Sequence, residues 1–258
     1  MKKLIIMLAV SAVCCSTFAA YKSYSEARAA GMKAFKAKDQ KELRRIFAEA
    51  KTLAKTNGEK WESVYYETRA CRFMKQFDDA LKILDDFIKN NPKSPYIGNA
   101  NFIKGLVYSA KRDYNNAAIC GEEAAKLLKP GSGDWQQNCS MLISTFLNLK
   151  KYDKCEEYAE KIIALPKTSY IELAVSYSSI AQIHQKKYDD CVKMLEKYIP
   201  SMKNTFYKSI ATYSMAQAFD ALKKQDEANK YYQMTVDTAP KFWRGKAAAN
   251  ILKKRSKK

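Results

Sequence analysis

The stretch Lys186-Lys187-Tyr188-Asp189-Asp190-Cys191 is one of six similar segments that together decide the fold. Each segment begins with a basic residue and ends with a small or aliphatic one. The other five read Lys38-Asp39-Gln40-Lys41-Glu42-Leu43, Lys75-Gln76-Phe77-Asp78-Asp79-Ala80, Arg112-Asp113-Tyr114-Asn115-Asn116-Ala117, Lys150-Lys151-Tyr152-Asp153-Lys154-Cys155 and Lys223-Lys224-Gln225-Asp226-Glu227-Ala228. Their third residues, at positions 40, 77, 114, 152, 188 and 225, lie 37, 37, 38, 36 and 37 apart. A period this regular is typical of a repeat protein.

Each repeat is predicted to hold two helices. Apolar residues between the segments recur every three to four positions, as in Ala80-Leu81, Ile83-Leu84 and Phe87-Ile88, which is helical spacing rather than strand alternation. Lysines of the segment are expected to end the first helix. The residues expected to begin the second helix as acceptors for its free N–H groups are Asp78, Asn115, Asp153, Asp189 and Asp226. So short a turn makes the two helices antiparallel, and the small residue that follows allows close packing.

Small and aromatic residues recur at matching places, namely Gly105, Tyr108, Ala117 and Ala124 in the third repeat, and Ala216, Phe219, Ala228, Tyr232 and Pro240 in the sixth. This pattern resembles that of the tetratricopeptide-repeat (TPR) proteins. The resemblance predicts an all-α fold, an α-solenoid of about six antiparallel helix pairs over residues 20–240. Residues 241–258 are expected to add a C-terminal capping helix and a basic tail.

The resemblance also implies that the first helices of successive pairs line a concave groove that binds a peptide or another protein. Mapped by repeat position, the side chains of that inner face are Tyr65, Arg69, Arg72, Asn99, Ser140, Ser144, Asn148, Ser176, Tyr177, Tyr213 and Gln217. Tyrosine combines a broad contact area with a polar end, which suits an extended peptide. Arg69 and Arg72 share a helix face and are predicted to bind a carboxylate. The alternative for any one of these residues is that it is solvated or packs between helices.

Residues 1–19 are predicted to be a secretory signal, cleaved after Ala19. Lys2 and Lys3 form its basic start, and the apolar run from Leu4 to Val13 is too short to span a bilayer. A lipoprotein anchor is not expected, because neither of the cysteines at positions 14 and 15 follows the usual Leu-x-Ala/Gly pattern. The expected location is therefore the periplasm or the cell exterior.

Five cysteines follow the predicted signal, at positions 71, 120, 139, 155 and 191. An odd number of scattered cysteines does not indicate a disulfide framework. Cys155 and Cys191 occupy the repeat position of Ala80, so they are expected to be small core residues. A bridge between Cys120 and Cys139 is the lesser alternative, because helical register places them about a turn out of step.

The formal charge of +19 would attract acidic proteins, anionic lipid or envelope polymers. The preferred interpretation of this charge is a solvated basic surface that only aids solubility. The first hypothesis is an exported scaffold that binds a protein or peptide in its groove. The positive charge of the scaffold favours an acidic partner. The second hypothesis is a structural envelope protein whose basic surface binds anionic polymer or lipid. Export argues against nucleic acid as a physiological partner, and the sequence does not fix the oligomeric state.

No enzymatic activity, cofactor or metal is expected from the residue pattern. His184 is the single histidine, and the cysteines form no Cys-x-x-Cys pair. Gly131-Ser132-Gly133 lacks the following Lys-Ser/Thr of a phosphate-binding loop and is interpreted as a linker. A pairing of His184 with Cys191 is disfavoured because a turn separates their helices.

Overall fold

The computed structural model describes residues 21–257, and in this part of the chain the secondary structure is entirely helical. The helices are α1 (Tyr24–Lys36), α2 (Gln40–Leu53), α3 (Asn57–Phe73), α4 (Phe77–Asn90), α5 (Ile97–Ala110), α6 (Tyr114–Leu127), α7 (Gly133–Asn148), α8 (Tyr152–Ile163), α9 (Ile171–His184), α10 (Tyr188–Tyr198), α11 (Thr205–Ala221), α12 (Gln225–Thr238) and α13 (Trp243–Arg255). A 3-10 turn at Ile199–Ser201 follows α10. The predicted signal at residues 1–19 lies outside the described residues.

The chain divides inside α3, between Glu67 and Thr68, into two compact units. In the first unit, α1 packs against α2. In the second unit, from α4 onward, each helix packs against the next one in the chain, and α5, α7, α9, α11 and α13 also pack side by side in that order. This alternation within the second unit is the packing of an α-solenoid. It confirms the predicted all-α solenoid of helix pairs with a C-terminal capping helix.

The small residue at the end of each quoted segment lies in the core, as predicted. Leu43, Ala80, Ala117, Cys155, Cys191 and Ala228 are all 0% exposed. The five described cysteines are buried free thiols, and Cys120 and Cys139 are not joined. Burial raises the pKa of Cys139, Cys155 and Cys191 to about 12. Among residues 21–257, no helix has both the length and the apolar character needed to cross a bilayer.

All six quoted segments begin with a basic residue in the left-handed backbone region. Lys38, Lys75, Arg112, Lys150, Lys186 and Lys223 have φ between 57° and 61°. At Lys186 the backbone N–H donates to the carbonyl of Ile183 at 3.1 Å, and the N–H of Lys187 donates to the carbonyl of Gln182 at 2.9 Å. This double hydrogen bond satisfies carbonyls at the end of α9, and it usually places glycine in the left-handed position. The sequence predicted the helix end but not this backbone conformation.

The acidic residues that follow the turn do not cap the second helix in the way the sequence predicted. The residues that precede α4, α8, α10 and α12 are Gln76, Lys151, Lys187 and Lys224, respectively. None of these four side chains makes a capping hydrogen bond. The predicted aspartates lie two positions later, inside the first turn, where the helix dipole favours negative charge. Side-chain caps form at α2 and α6, where Asp39 and Asp113 accept from backbone N–H groups at 3.0 and 3.2 Å.

Replacing Lys150 by Gly is expected to raise the free energy of unfolding by about 0.5–1 kcal/mol, because glycine removes the left-handed strain at a smaller entropic cost. The Lys150→Ala variant removes the same side chain and charge but keeps the Cβ, so it should leave stability nearly unchanged. Urea denaturation of the two variants checks this. Equal stability of the glycine and alanine variants would show that the left-handed turn is not strained.

Candidate functional site

The candidate site is a groove of about 320 Å³ on the layer of first helices, where α5, α7 and α9 meet. Its lining combines apolar side chains with hydroxyls and an amide. The lining residues are Phe102, Leu106, Ser109, Gln137, Ser140, Met141, Ser144, Tyr170, Leu173 and Tyr177. Phe102 and Met141 are almost fully buried and form its floor. An apolar concavity with a few polar groups at its rim is the usual form of a binding site.

Three of the sequence-predicted residues line this groove. Ser140 and Ser144 lie one helical turn apart on α7, and their hydroxyls donate to the carbonyls of Gln137 and Met141, each at 2.8 Å. Tyr177 of α9 packs edge-on against Tyr207 with ring centroids 6.2 Å apart. Within the described residues the Tyr177 hydroxyl makes no hydrogen bond, so it remains available to a ligand.

Three other predicted residues are already engaged within the fold. Ser176 is 0% exposed, and its hydroxyl donates to the carbonyl of Tyr207 at 2.9 Å, which ties α9 to α11. Its predicted place on the inner face is therefore corrected to a core position. The side-chain amide of Asn99 donates to Asp134 at 2.6 Å. Asn148 is exposed at the end of α7, and its amide donates to the carbonyl of Ser144 at 2.8 Å.

The predicted residues on α3 fall on both sides of the unit boundary. Tyr65 belongs to the first unit, where its ring lies edge-on to Tyr66 at 5.2 Å. Arg69 and Arg72 belong to the second unit and are partly exposed. The Arg69 guanidinium lies 5.2 Å from the ring centroid of Phe73. Joint binding of a carboxylate by the two arginines stays a prediction.

Tyr213 and Gln217 lie on α11 and are partly exposed. The Tyr213 ring packs edge-on against Trp243 of the capping helix, with centroids 5.8 Å apart. Arg244 follows on the same helix, and its guanidinium lies 4.5 Å from the Trp243 ring centroid. Burial lowers the pKa of Arg244. Through Trp243, the capping helix thus brings an arginine close to Tyr213.

A larger pocket of about 510 Å³ lies between α6 and α8, on the layer of second helices. Its cations are already paired: Lys161 contacts Glu157 at 2.7 Å and Lys126 contacts Glu123 at 2.6 Å. Its exposed apolar residue is Ile119, which is 59% exposed. Internal pairing of the charges makes this pocket a weaker candidate than the groove of α5, α7 and α9.

The residues considered for chemistry are not brought together. His184 is exposed and stacks on Tyr152 with ring centroids 4.7 Å apart. The Cys191 thiol is buried and donates to the carbonyl of Ser179 at 3.8 Å. Within residues 21–257, no cluster of three histidine, cysteine, aspartate or glutamate side chains has a metal-binding arrangement.

Two segments of the chain, residues 65–94 and 211–241, match the family model described as tetratricopeptide repeat. The first covers the end of α3 and all of α4, and the second covers most of α11 and all of α12. Each match is therefore one pair of consecutive helices with its turn. These two helix pairs are similar to tetratricopeptide repeats. The second match contains Ala216, Phe219, Ala228, Tyr232 and Pro240, on which the sequence resemblance rested.

The TPR-like fold also resembles solved structures. BtubC (BKLC) from P. vanneervenii superposes with a TM-score of 0.58 at 12% sequence identity, over 86% of this chain and 91% of that one. At this identity the likeness concerns the fold alone. A TPR repeats protein from Bacteroides fragilis is 18% identical over 91% of this chain and all of that one, with a TM-score of 0.38. No characterised protein sequence matches the TPR-like chain.

Sequence reasoning missed the apolar part of the groove. Phe102 and Leu106 are four residues apart on α5, and Leu173 precedes Tyr177 by four residues on α9. Residues four apart share a helix face, so the i, i+4 neighbours of the predicted residues were the available signal. Arg244 had no such signal, because it lies outside the repeats.

Proposed function

We propose that this protein is a binding scaffold that holds an extended segment of a partner protein in the groove of α5, α7 and α9. The observation that carries the proposal is the convergence of Ser140, Ser144 and Tyr177 on one apolar groove. The floor offers surface to aliphatic or aromatic side chains, and the hydroxyls at the rim offer hydrogen bonds to a peptide backbone. A volume of about 320 Å³ suits a few side chains of a peptide rather than a large ligand.

We further propose that the scaffold is exported and works in the periplasm or outside the cell. The residue pattern of positions 1–19 supports this, with a basic start, a short apolar run and small residues before the expected cleavage point. The charge of +19 favours an acidic partner, whose encounter with the protein it would accelerate.

The alternative function is adhesion to anionic polymer or lipid of the cell envelope. The exposed lysines at the end of the chain, Lys253, Lys254 and Lys257, favour it. Adhesion through exposed charges is screened in about 1 M NaCl, where the Debye length is about 3 Å. Binding by an apolar groove should persist there, so salt dependence distinguishes the two functions.

Selection of a phage-displayed library of random peptides on the purified protein tests the scaffold proposal. Enriched peptides should bind with affinity that persists in salt. Truncating two groove residues, in the variant Leu173→Ala/Tyr177→Ala, should weaken binding by about tenfold or more, because a few buried anchors carry most of the binding energy. The control is Ile119→Ala, which truncates an apolar side chain on the other layer of helices and should leave affinity unchanged.

Circular dichroism of the three proteins shows whether the variants are folded. The scaffold proposal is wrong if no peptide is enriched. It is also wrong if the groove variant, although folded, binds the enriched peptides as tightly as the wild type does.

A further inference from the structure

Arg244 lies beside Trp243 and has no carboxylate partner within the described residues. It is partly buried at the start of α13, and within the described residues it makes no ion pair. The other arginine of this helix, Arg255, contacts Asp220 at 2.7 Å and Asn229 at 2.6 Å. A guanidinium removed from water normally has a carboxylate or hydrogen-bond acceptors nearby, because desolvation of an unpaired charge is costly.

Two tyrosines of the predicted inner face lie on the neighbouring helices. The Arg244 guanidinium lies 4.5 Å from the Trp243 ring centroid, and that ring packs against Tyr213 with centroids 5.8 Å apart. The positive charge of Arg244 also acts against the burial that raises the pKa of Tyr177 and Tyr213. Neither hydroxyl is hydrogen-bonded within residues 21–257. The guanidinium and the two hydroxyls are therefore donors without acceptors, and a carboxylate supplies acceptors in the geometry that arginine prefers.

Exposed aromatic rings surround these donors. Trp243 is 61% exposed, Phe242 is 43% exposed and Phe206 is 42% exposed. Phe206 and Phe242 pack edge-on with centroids 6.0 Å apart, and Phe206 packs in the same way on Tyr207 at 5.4 Å. A cluster of exposed aromatic side chains marks an interaction surface.

Tyr177 joins this cluster to the groove, since it lines the groove and its ring packs against Tyr207, which in turn packs against Phe206. We propose that Arg244, Tyr177 and Tyr213 form a subsite for an aspartate or glutamate side chain of the peptide held in the groove, with Trp243 and Phe206 covering an apolar neighbour of that acidic residue. This inference rests on the proposed scaffold function and assigns the chemistry of one position in the ligand. Charge complementarity supports it, because the subsite offers an unpaired cation in a protein of net charge +19.

The experiment uses the same random-peptide library on the purified protein. Peptides enriched by the wild type should carry Asp or Glu at a fixed place next to an aromatic or aliphatic residue. Selection on Arg244→Gln should lose this acidic preference. The matched control is Lys246→Gln, which removes one positive charge from an exposed position of the same helix and should keep the preference.

A double-mutant cycle then tests whether Arg244 interacts directly with the acidic residue of the peptide. With one enriched peptide, either Arg244→Gln or the change of the acidic residue to its amide should weaken binding by about tenfold, and the two changes together should cost little more than one of them. Arg244→Lys keeps the charge without the planar fork and should fall between the wild type and Arg244→Gln. Thermal melts show whether each variant is folded.

The outcomes separate the subsite from the scaffold function. If the enriched peptides lack a fixed acidic residue, the subsite proposal alone is wrong. It is also wrong if the losses of binding free energy from the two single changes simply add in the double-mutant cycle. A folded Arg244→Gln variant that still selects the acidic residue does the same. Failure to enrich any peptide overturns the scaffold function and the subsite with it.

Discussion

Replacing Phe47 by Ala is expected to lower the free energy of unfolding of the first unit by about 3–5 kcal/mol. Phe47 is 0% exposed, and its ring stacks on Tyr66 with centroids 4.7 Å apart. The ring also lies against the backbone of Gly31, where an added Cβ would be 2.5 Å from the nearest ring carbon. Alanine would leave a cavity between α1, α2 and α3 that these contacts now fill. Urea denaturation followed by circular dichroism measures the loss.

The close approach of Gly31 and Phe47 allows a matched test by double mutation. Gly31→Leu alone should also destabilise the first unit, because the leucine and the Phe47 ring need the same space. In Gly31→Leu/Phe47→Ala the leucine enters the vacated space, so the combined loss should be clearly smaller than the sum of the single losses. Losses that add within about 0.5 kcal/mol would contradict the packing described between these two residues.

Replacing Gly245 by Ala is expected to displace the capping helix α13, at a cost of about 3 kcal/mol. A Cβ at position 245 would be 2.1 Å from the carbonyl oxygen of Ala239 and 3.1 Å from the Cα of Pro240. Both are backbone atoms, which cannot rotate away as the end of a side chain can. The helix must therefore move off the end of α12. Gly133→Ala is the control, because a Cβ at that position meets nothing within 4 Å.

Hydrogen exchange along α13 is the measurement for this prediction. In the Gly245→Ala variant the amides of α13 should exchange much faster than in the wild type, while those of α5 and α6 should keep their protection. Since Arg244 is carried by α13, the variant should also lose any preference for acidic peptides. Unchanged protection of α13 would mean that the helix accommodates the methyl group in place.

The periodic part of the fold could be predicted from the sequence. Six turns at a constant spacing fix the helix pairs, and the position of Ala80 and its equivalents fixes their core face. The residues of the inner face could be predicted only in part. Repeat position indicates which side of a helix a residue lies on, but it does not give the crossing angle between that helix and its neighbour. Ser176 shows this limit, since α11 lies close enough to α9 to bury it. Its neighbour Tyr177 stays partly exposed at the groove.

Features that depend on a single non-local contact could not be predicted. The close approach of Gly245 to the Ala239 carbonyl sets the position of α13. No periodic sequence pattern predicts this contact. The place of Trp243 and Arg244 near Tyr213 follows from that contact. The left-handed lysines were missed for another reason, since the backbone conformation at Lys150 or Lys186 is usually inferred from glycine. Here the hydrogen bonds of the turn impose it on a residue with a side chain.

The five buried thiols can be oxidised only when the fold opens. The rate of opening therefore sets how fast the protein is oxidised. In the native state, burial keeps their sulfur atoms out of reach of oxidants. The raised pKa of Cys139, Cys155 and Cys191 also keeps these three in the less reactive thiol form. A molecule that opens briefly in an oxidising compartment presents thiols that can be trapped as mixed or intermolecular disulfides. A trapped chain cannot close again, so each opening is a chance of permanent loss. The lifetime of such a protein is then set by how often it opens rather than by the small fraction that is open at equilibrium.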